Sequence, residues 1–357
     1  MRVLYFGTYD RAYPRNAQVI SCLRGAGVDV VEHHVSVWEG RQESWKAGIA
    51  SALRVAISEL KLFRRPKGFD VLVVGYPGHF DFPAARWAAR GRPVVFNPLV
   101  SLADTLVSDR GRFRAGSMAA RTLEAVDRRA FRSADLVVAD TEAHADYLAG
   151  RTGVERSRFA VCLVGAEERV FRPLWAWSEP FTCLFVGKLI PLHGVETILE
   201  AARLAPEIRF RIVGSGQLDR LLDDLPPNVE RVRWVDYERI PDELARAGCA
   251  LGVFGTSAKA ARVIPNKAFQ ALACGTPLVT ADTPAARELL VDGESALLVP
   301  PGDAAALAAA VRRLAGDPDL AEHLSGGGLY TFQQRASEEV LGARWRELLE
   351  SLAARAG

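Results

Sequence analysis

Short, wholly apolar runs alternate along this chain with longer segments whose apolar residues recur at helical spacing. VLYFG (residues 3–7), VLVVG (71–75), VVF (94–96), LVVA (136–139) and FAVCL (159–163) read as strands. Continuous rather than alternating apolar runs mark strands buried on both faces, as in parallel sheets. Asn16–Arg24 has helical spacing and Val28–Val31 returns as a strand, so the chain opens as a βαβ unit. At Phe181 the pattern restarts with FTCLFVG, again an apolar strand ending in glycine, followed by a helix over 195–204. Further strands fall at 209–214, 232–234, 250–254, 278–280 and 296–299. The two halves begin alike, which predicts two doubly wound α/β domains with parallel sheets. Leu341, Trp345, Leu348, Leu349 and Leu352 form one stripe on a final helix.

Composition narrows the class. A chain of 357 residues implies about two domains. Its 49% hydrophobic and 25% charged residues are ordinary for a soluble globular protein. A net charge of +2 and the lack of a Lys/Arg block argue against a nucleic-acid surface. Five scattered cysteines without CxxC spacing argue against structural zinc and a disulfide framework, and for a reducing, cytoplasmic setting. Arg2–Phe6 already reads as a strand, so no leader is expected, and no apolar run reaches transmembrane length. Residues 46–67 leave two readings open. A basic amphipathic helix can lie on anionic lipid at the inner face of a membrane, or it can pack its apolar side on its own sheet.

Chemistry concentrates in Lys259–Thr280, KAARVIPNKAFQALACGTPLVT. Asn266–Cys274 is rich in helix formers, Pro265 stands at the favoured start, and Gly275 and Pro277 end the helix. A helix N-terminus beside Arg262 and Lys267 suits an anion, above all a phosphate. Asn266, Lys267 and Gln270 share a face at i, i+3 and i+4 spacing. No GxGxxG follows the first strand, so a dinucleotide site there is not expected. Asp317-Pro318-Asp319, formally a DxD, reads as punctuation before a helix.

QALACGTPLV at 270–279 resembles the donor-site motif of glycosyltransferase family 4, retaining enzymes of the GT-B fold. There a Glu-Ala-Met-Ala-x-Gly-like helix end followed by Pro-Val-Val binds the sugar nucleotide. VGAEERVFRP (164–173) is similar to the family's Asn-Gly-Val-Asp-x-x-x-Phe-x-Pro junction, and VDGESALLVPPGD (291–303) fits its late strand and turn. The resemblance implies two Rossmann-like domains facing each other across a cleft: an acceptor domain at 1–172, a donor-binding domain at 173–335, and a helix at 336–357 crossing back to the first. It also implies transfer of a sugar from a UDP- or GDP-sugar, with retention, to a glycan, lipid-linked or small-molecule acceptor. Where the family carries two glutamates, this chain has Arg262 and Gln270.

On this reading the donor contacts are Gly187, Lys188, His193, Gly194, Gly214, Gly216, Val235, Arg262, Asn266, Lys267 and Gln270. Lys188 and His193 stand where relatives carry Arg and Lys against the diphosphate. Thr8, Tyr9, Arg15, Asn16 and Asn97 are the acceptor-side candidates, in loops after the first and fourth strands. Asp104 is a candidate general base and equally a candidate helix cap, and His144 reads as a surface or packing histidine. Lys188, Arg262 and Lys267 would act on the leaving group, with no metal or cofactor needed. Two rival readings stand beside transfer: a non-catalytic nucleotide-sugar-binding subunit, favoured by the missing glutamates, and another GT-B enzyme such as a nucleotide-sugar epimerase.

Overall fold

Both apolar series fold into parallel sheets of six strands in a computed structural model that describes residues 1–11, 13–36, 60–63 and 66–356. Most of the basic segment 46–67 lies outside the described residues. Two units are distinct: one comprises Met1–Leu163 with the last helix, the other Val164–Ser337.

In the first unit, β1 (Arg2–Gly7), β2 (Asp29–His34), β3 (Val71–Val74), β4 (Val94–Phe96), β5 (Leu136–Ala139) and β6 (Phe159–Val161) stand in the order β2-β1-β3-β4-β5-β6. The register sets Leu4 beside Leu72 and Leu72 beside Val94. Every residue of β3 and β4 is buried because helices cover both faces. The helices are α1 (Pro14–Gly25), α2 (Phe82–Ala89), α3 (Met118–Ser133) and α4 (Glu142–Thr152). Ser117 and Thr141 cap α3 and α4 through their hydroxyls, as short polar side chains do at helix starts.

The second unit holds β7 (Thr182–Val186), β8 (Arg209–Val213), β9 (Val229–Val232), β10 (Cys249–Leu251), β11 (Leu278–Ala281) and β12 (Leu297–Val299). Their order, β9-β8-β7-β10-β11-β12, is the 3-2-1-4-5-6 arrangement of the doubly wound nucleotide-binding fold. Its helices are α5 (Val195–Leu204), α6 (Ile240–Ala245), α7 (Asn266–Cys274), α8 (Pro284–Arg287), α9 (Ala304–Ala315) and α10 (Pro318–Arg335). Asp317 caps α10 by accepting from Leu320 N at 3.0 Å, so the DxD is helix punctuation. The strand expected at 232–234 instead ends at Val232. Asn228 donates to the carbonyls of Ala202, Ala205 and Ile208, which pins the start of β9 and leaves Trp234 exposed beyond it.

The last helix, α11 (Glu338–Ala356), belongs to the first unit. Leu341, Trp345 and Leu349 are buried in the same cluster as Val3, Val19 and Leu23. Gly342 lets α11 approach α1 closely, since a Cβ there would lie 2.4 Å from the Cys22 carbonyl oxygen. Among the described residues no helix is long and apolar enough to cross a membrane.

Candidate functional site

In a doubly wound sheet, ligands bind outside the carboxyl ends of the strands where the strand order reverses. In the second unit that point lies between β7 and β10, so the relevant segments are the loop Gly187–Gly194, the chain after β10 and the start of α7. Lys267, one residue into α7, reaches back over β7. Its Nζ lies 3.5 Å from the centre of the Phe185 ring. A Cβ on Gly187 would meet Lys267 Nζ at 2.9 Å and His193 Cε1 at 3.4 Å. Gly187, His193 and Lys267 therefore converge.

Lys267 Nζ is buried and has no hydrogen-bond partner among the described residues. Burial holds its pKa well below the usual lysine value. A desolvated cation–π contact such as that with Phe185 is worth about 2 kcal/mol or somewhat more. The effective cost of burying an ion is several kcal/mol, so desolvation wins.

His193 is buried, its Nδ1 against the Lys188 carbonyl and its ring edge-on to Phe185 at 5.6 Å. Lys188 itself is exposed. Gly194 (φ 64) packs on the backbone of Phe254 and Gly255. Gly214 and Gly216, read in the sequence as room for a ligand, also have a structural use. A Cβ on Gly214 would meet the Gly187 carbonyl oxygen at 1.9 Å, and one on Gly216 the Leu189 oxygen at 2.6 Å. The loops after β7 and β8 are thus closed on each other, with Leu189 N donating to Ser215 O at 3.1 Å.

Pro265 occupies the N-cap of α7 rather than its first turn, with extended backbone (ψ 150), and no side chain caps the helix. No acidic residue lies in the first turn, so the amide end is electrically positive. Arg262, half-buried, closes the short turn Ala260–Arg262 just before it, and Asn266 opens the helix. One turn further along, buried Gln270 lies beside Tyr237. Tyr237 donates to Glu167 Oε1 at 3.1 Å, and Arg169 donates to Glu167 Oε2 at 2.9 Å. Burial first, then the Glu167 carboxylate, raise the Tyr237 pKa. Glu167 was missed in the sequence although it lies inside the junction motif; nothing local pairs it with a tyrosine 70 positions away. Val235 is half-buried beyond β9.

The first-unit candidates form a different kind of cluster. Asn16 uses both ends of its amide: Nδ2 donates to the Asp10 and Tyr76 carbonyls, and Oδ1 accepts from Tyr76 N and Tyr5 Oη, all at 2.9 Å. Thr8 donates through N and Oγ1 to Asp81. Buried Tyr9 donates to Glu32 at 2.8 Å. Arg15 is wholly buried. It donates to Asn97 Oδ1 and the Leu163 carbonyl, both at 3.0 Å, and lies 5.9 Å from the Trp345 ring. The polar groups of these five residues bind their own fold.

Asp104 is buried and accepts from Tyr147 Oη at 2.9 Å, while the capping role falls to Ser101, whose Oγ accepts from Asp104 N at 3.0 Å. His144 is a packing histidine, buried with Nδ1 on Asp140. Among the described residues no group of three or more His, Cys, Asp or Glu is placed to hold a metal ion.

Two doubly wound units, with an anion-seeking helix start at the switch point of the second, define the GT-B architecture. Residues 2–165 match the glycosyl transferase 4-like domain, and residues 180–317 match glycosyl transferases group 1. The chain belongs to this glycosyltransferase family.

It is 28% identical over 177 residues to the lipopolysaccharide core biosynthesis glycosyltransferase LpsD of Rhizobium meliloti, covering 48% of this chain and 50% of that one. It is 31% identical over 157 residues to the phosphatidyl-myo-inositol mannosyltransferase of Mycobacterium leprae, covering 41% and 40%. The chain thus spans about half the length of these relatives or less. In fold it is similar to sucrose-phosphate synthase from Thermosynechococcus elongatus, with TM-score 0.77, 19% identity and 99% of both chains covered. Anabaena HepE, solved in complex with UDP, has TM-score 0.69 and 15% identity over 98% of this chain and 99% of that one.

Proposed function

We propose that this protein transfers a sugar from a nucleoside-diphosphate sugar to an acceptor, with retention at the anomeric carbon. The observation that carries this reading is Lys267: a buried amine without a hydrogen-bond partner among the described residues, at an uncapped helix N-terminus, in the crevice where this fold binds nucleotides. The α7 amides and Lys267 would hold the diphosphate, and Arg262 would reach it or an acidic group of the sugar. These positive groups offset the charge that develops as the nucleotide leaves, the electrostatic contribution that usually dominates such barriers. Val235 and its neighbours would hold the base through backbone groups. No nucleophile for double displacement is evident among the described residues of this site, so departure and attack on one face of the sugar are proposed. Asp104, engaged by Tyr147, fits the positioning of its loop better than proton abstraction.

The proposal is tested by thermal denaturation with UDP- and GDP-sugars, followed by an assay for released nucleoside diphosphate. A donor at 100 times its Kd stabilises the fold by about 2.7 kcal/mol. Failure of every donor to shift the transition would overturn the reading. A second reading, a nucleotide-sugar-binding subunit without turnover, is favoured by one observation: Arg262 and Gln270 replace the family's two glutamates. Binding without release of nucleotide, across donors and acceptors, would select it.

A further inference from the structure

Lys267 sits where the diphosphate is proposed to bind, and among the described residues only the face of Phe185 favours its charge beforehand. Its Nζ faces the Phe185 ring and has no hydrogen-bond partner among the described residues. Charged and titratable groups lie on several surrounding elements: Asp242 and Glu243 on α6 and Asp319, Glu322, His323 and Arg335 on α10, both packed on α7, and Arg287 with Glu288 at α8, packed on the turn Ala260–Arg262. The loop after β7 carries Lys188 and His193, the turn before α7 carries Lys259 and Arg262, and Tyr237 with Glu167 lies against Gln270. Glu167 is engaged by Tyr237 and Arg169, and Glu243 by Arg211. Desolvation is what acts on the amine, and it lowers the pKa.

We propose that Lys267 is an uncharged amine in the unliganded protein and takes a proton from solvent as a nucleotide diphosphate binds, so that the two events are one coupled step. The Nζ lone pair accepts the proton, solvent or buffer supplies it, and no other bond changes. A phosphate oxygen brings the counter-charge and the acceptor that the protein lacks, and the ammonium then makes a charge-assisted hydrogen bond. Coupling of this kind is reciprocal. The complex holds one proton more than its separated parts, so affinity falls as pH rises between the free and bound pKa values of Lys267. The slope is about tenfold in Kd per pH unit. The site would in this way avoid a permanent buried charge while empty. The inference rests on the donor-site reading above.

The test is calorimetric titration of UDP and of GDP at about pH 8, above the second ionisation of a phosphate near 6, in two buffers of different ionisation enthalpy. The expected result is uptake approaching one proton per bound nucleotide, with Kd rising about tenfold per pH unit. Lys267→Arg, charged throughout, is expected to bind without uptake, and His193→Asn to keep it. Binding with the same apparent enthalpy in both buffers overturns the proposal, as does uptake that persists in Lys267→Arg or vanishes in His193→Asn. Binding of neither nucleotide would instead remove the donor-site reading, and this inference with it.

Discussion

Gly187 and Lys267 lie 80 positions apart, yet a methyl group on Gly187 would sit 2.9 Å from Lys267 Nζ. Gly187 also has φ 152, a backbone conformation that side chains rarely adopt. Gly187→Ala should therefore both strain the loop and displace the amine. Expected are a stability loss of about 1–3 kcal/mol, read by denaturant unfolding, and weaker nucleotide binding. Unchanged affinity would show that Lys267 Nζ does not need this position.

Lys267→Met keeps an unbranched chain over Phe185 and removes the unpartnered amine. The unliganded variant should be more stable than the parent by about 1–3 kcal/mol, while donor affinity falls. The gain depends on pH in a defined sense. The folded-state pKa of Lys267 lies below its ordinary 10.5, so between the two values the unfolded chain binds more protons and the parent gains stability as pH rises. The difference between parent and variant should narrow toward pH 10.5 and widen as pH falls toward the folded-state pKa. Paired denaturation series would measure it; a gap independent of pH would contradict the assignment.

Arg262→Ala should weaken donor binding or turnover by roughly 10- to 150-fold, the equivalent of one charged hydrogen bond worth about 1.5–3 kcal/mol. Arg262→Glu, which supplies the carboxylate of the family pattern, should be worse than alanine beside Lys267. Steady-state kinetics with a saturating acceptor reads both. Higher activity in the glutamate variant would mean that the arginine is a loss and not an adaptation.

Arg15→Ala leaves Asn97, the Cys162 and Leu163 carbonyls and the face of Trp345 without their partner. A cost of about 1–3 kcal/mol for each acceptor left unsatisfied is expected. Arg15→Lys retains the charge without the planar fork and should recover part of it. If Arg15 instead served only the acceptor, thermal stability would hold and acceptor KM alone would rise.

Much of the architecture was legible because burial on both faces of a parallel strand leaves a continuous apolar run, and glycine at the strand end marks the turn that follows. VLYFG and FTCLFVG announced two sheets in this way, and Gly275 with Pro277 ended α7 where the structure ends it. The helix start beside Arg262 and Lys267 was legible for the same local reason: an uncapped N-terminus is a property of a few consecutive residues.

Where a polar side chain spends its hydrogen bonds is not local. Thr8, Tyr9, Arg15, Asn16 and Asn97 look alike as loop residues whether they face a ligand or their own backbone. Only the sheet order brings Tyr76 to Asn16, or Cys162 and Leu163 to Arg15. The sequence by itself determined the paired α/β halves and the place of an uncapped helix start beside two cationic residues. Tertiary structure alone decided that the amine of Lys267 is buried on Phe185 with no hydrogen-bond partner among the described residues. Desolvation is a property of everything packed around a group, and Phe185, Gly187 and His193 are brought to Lys267 by strand pairing rather than by neighbouring positions in the chain.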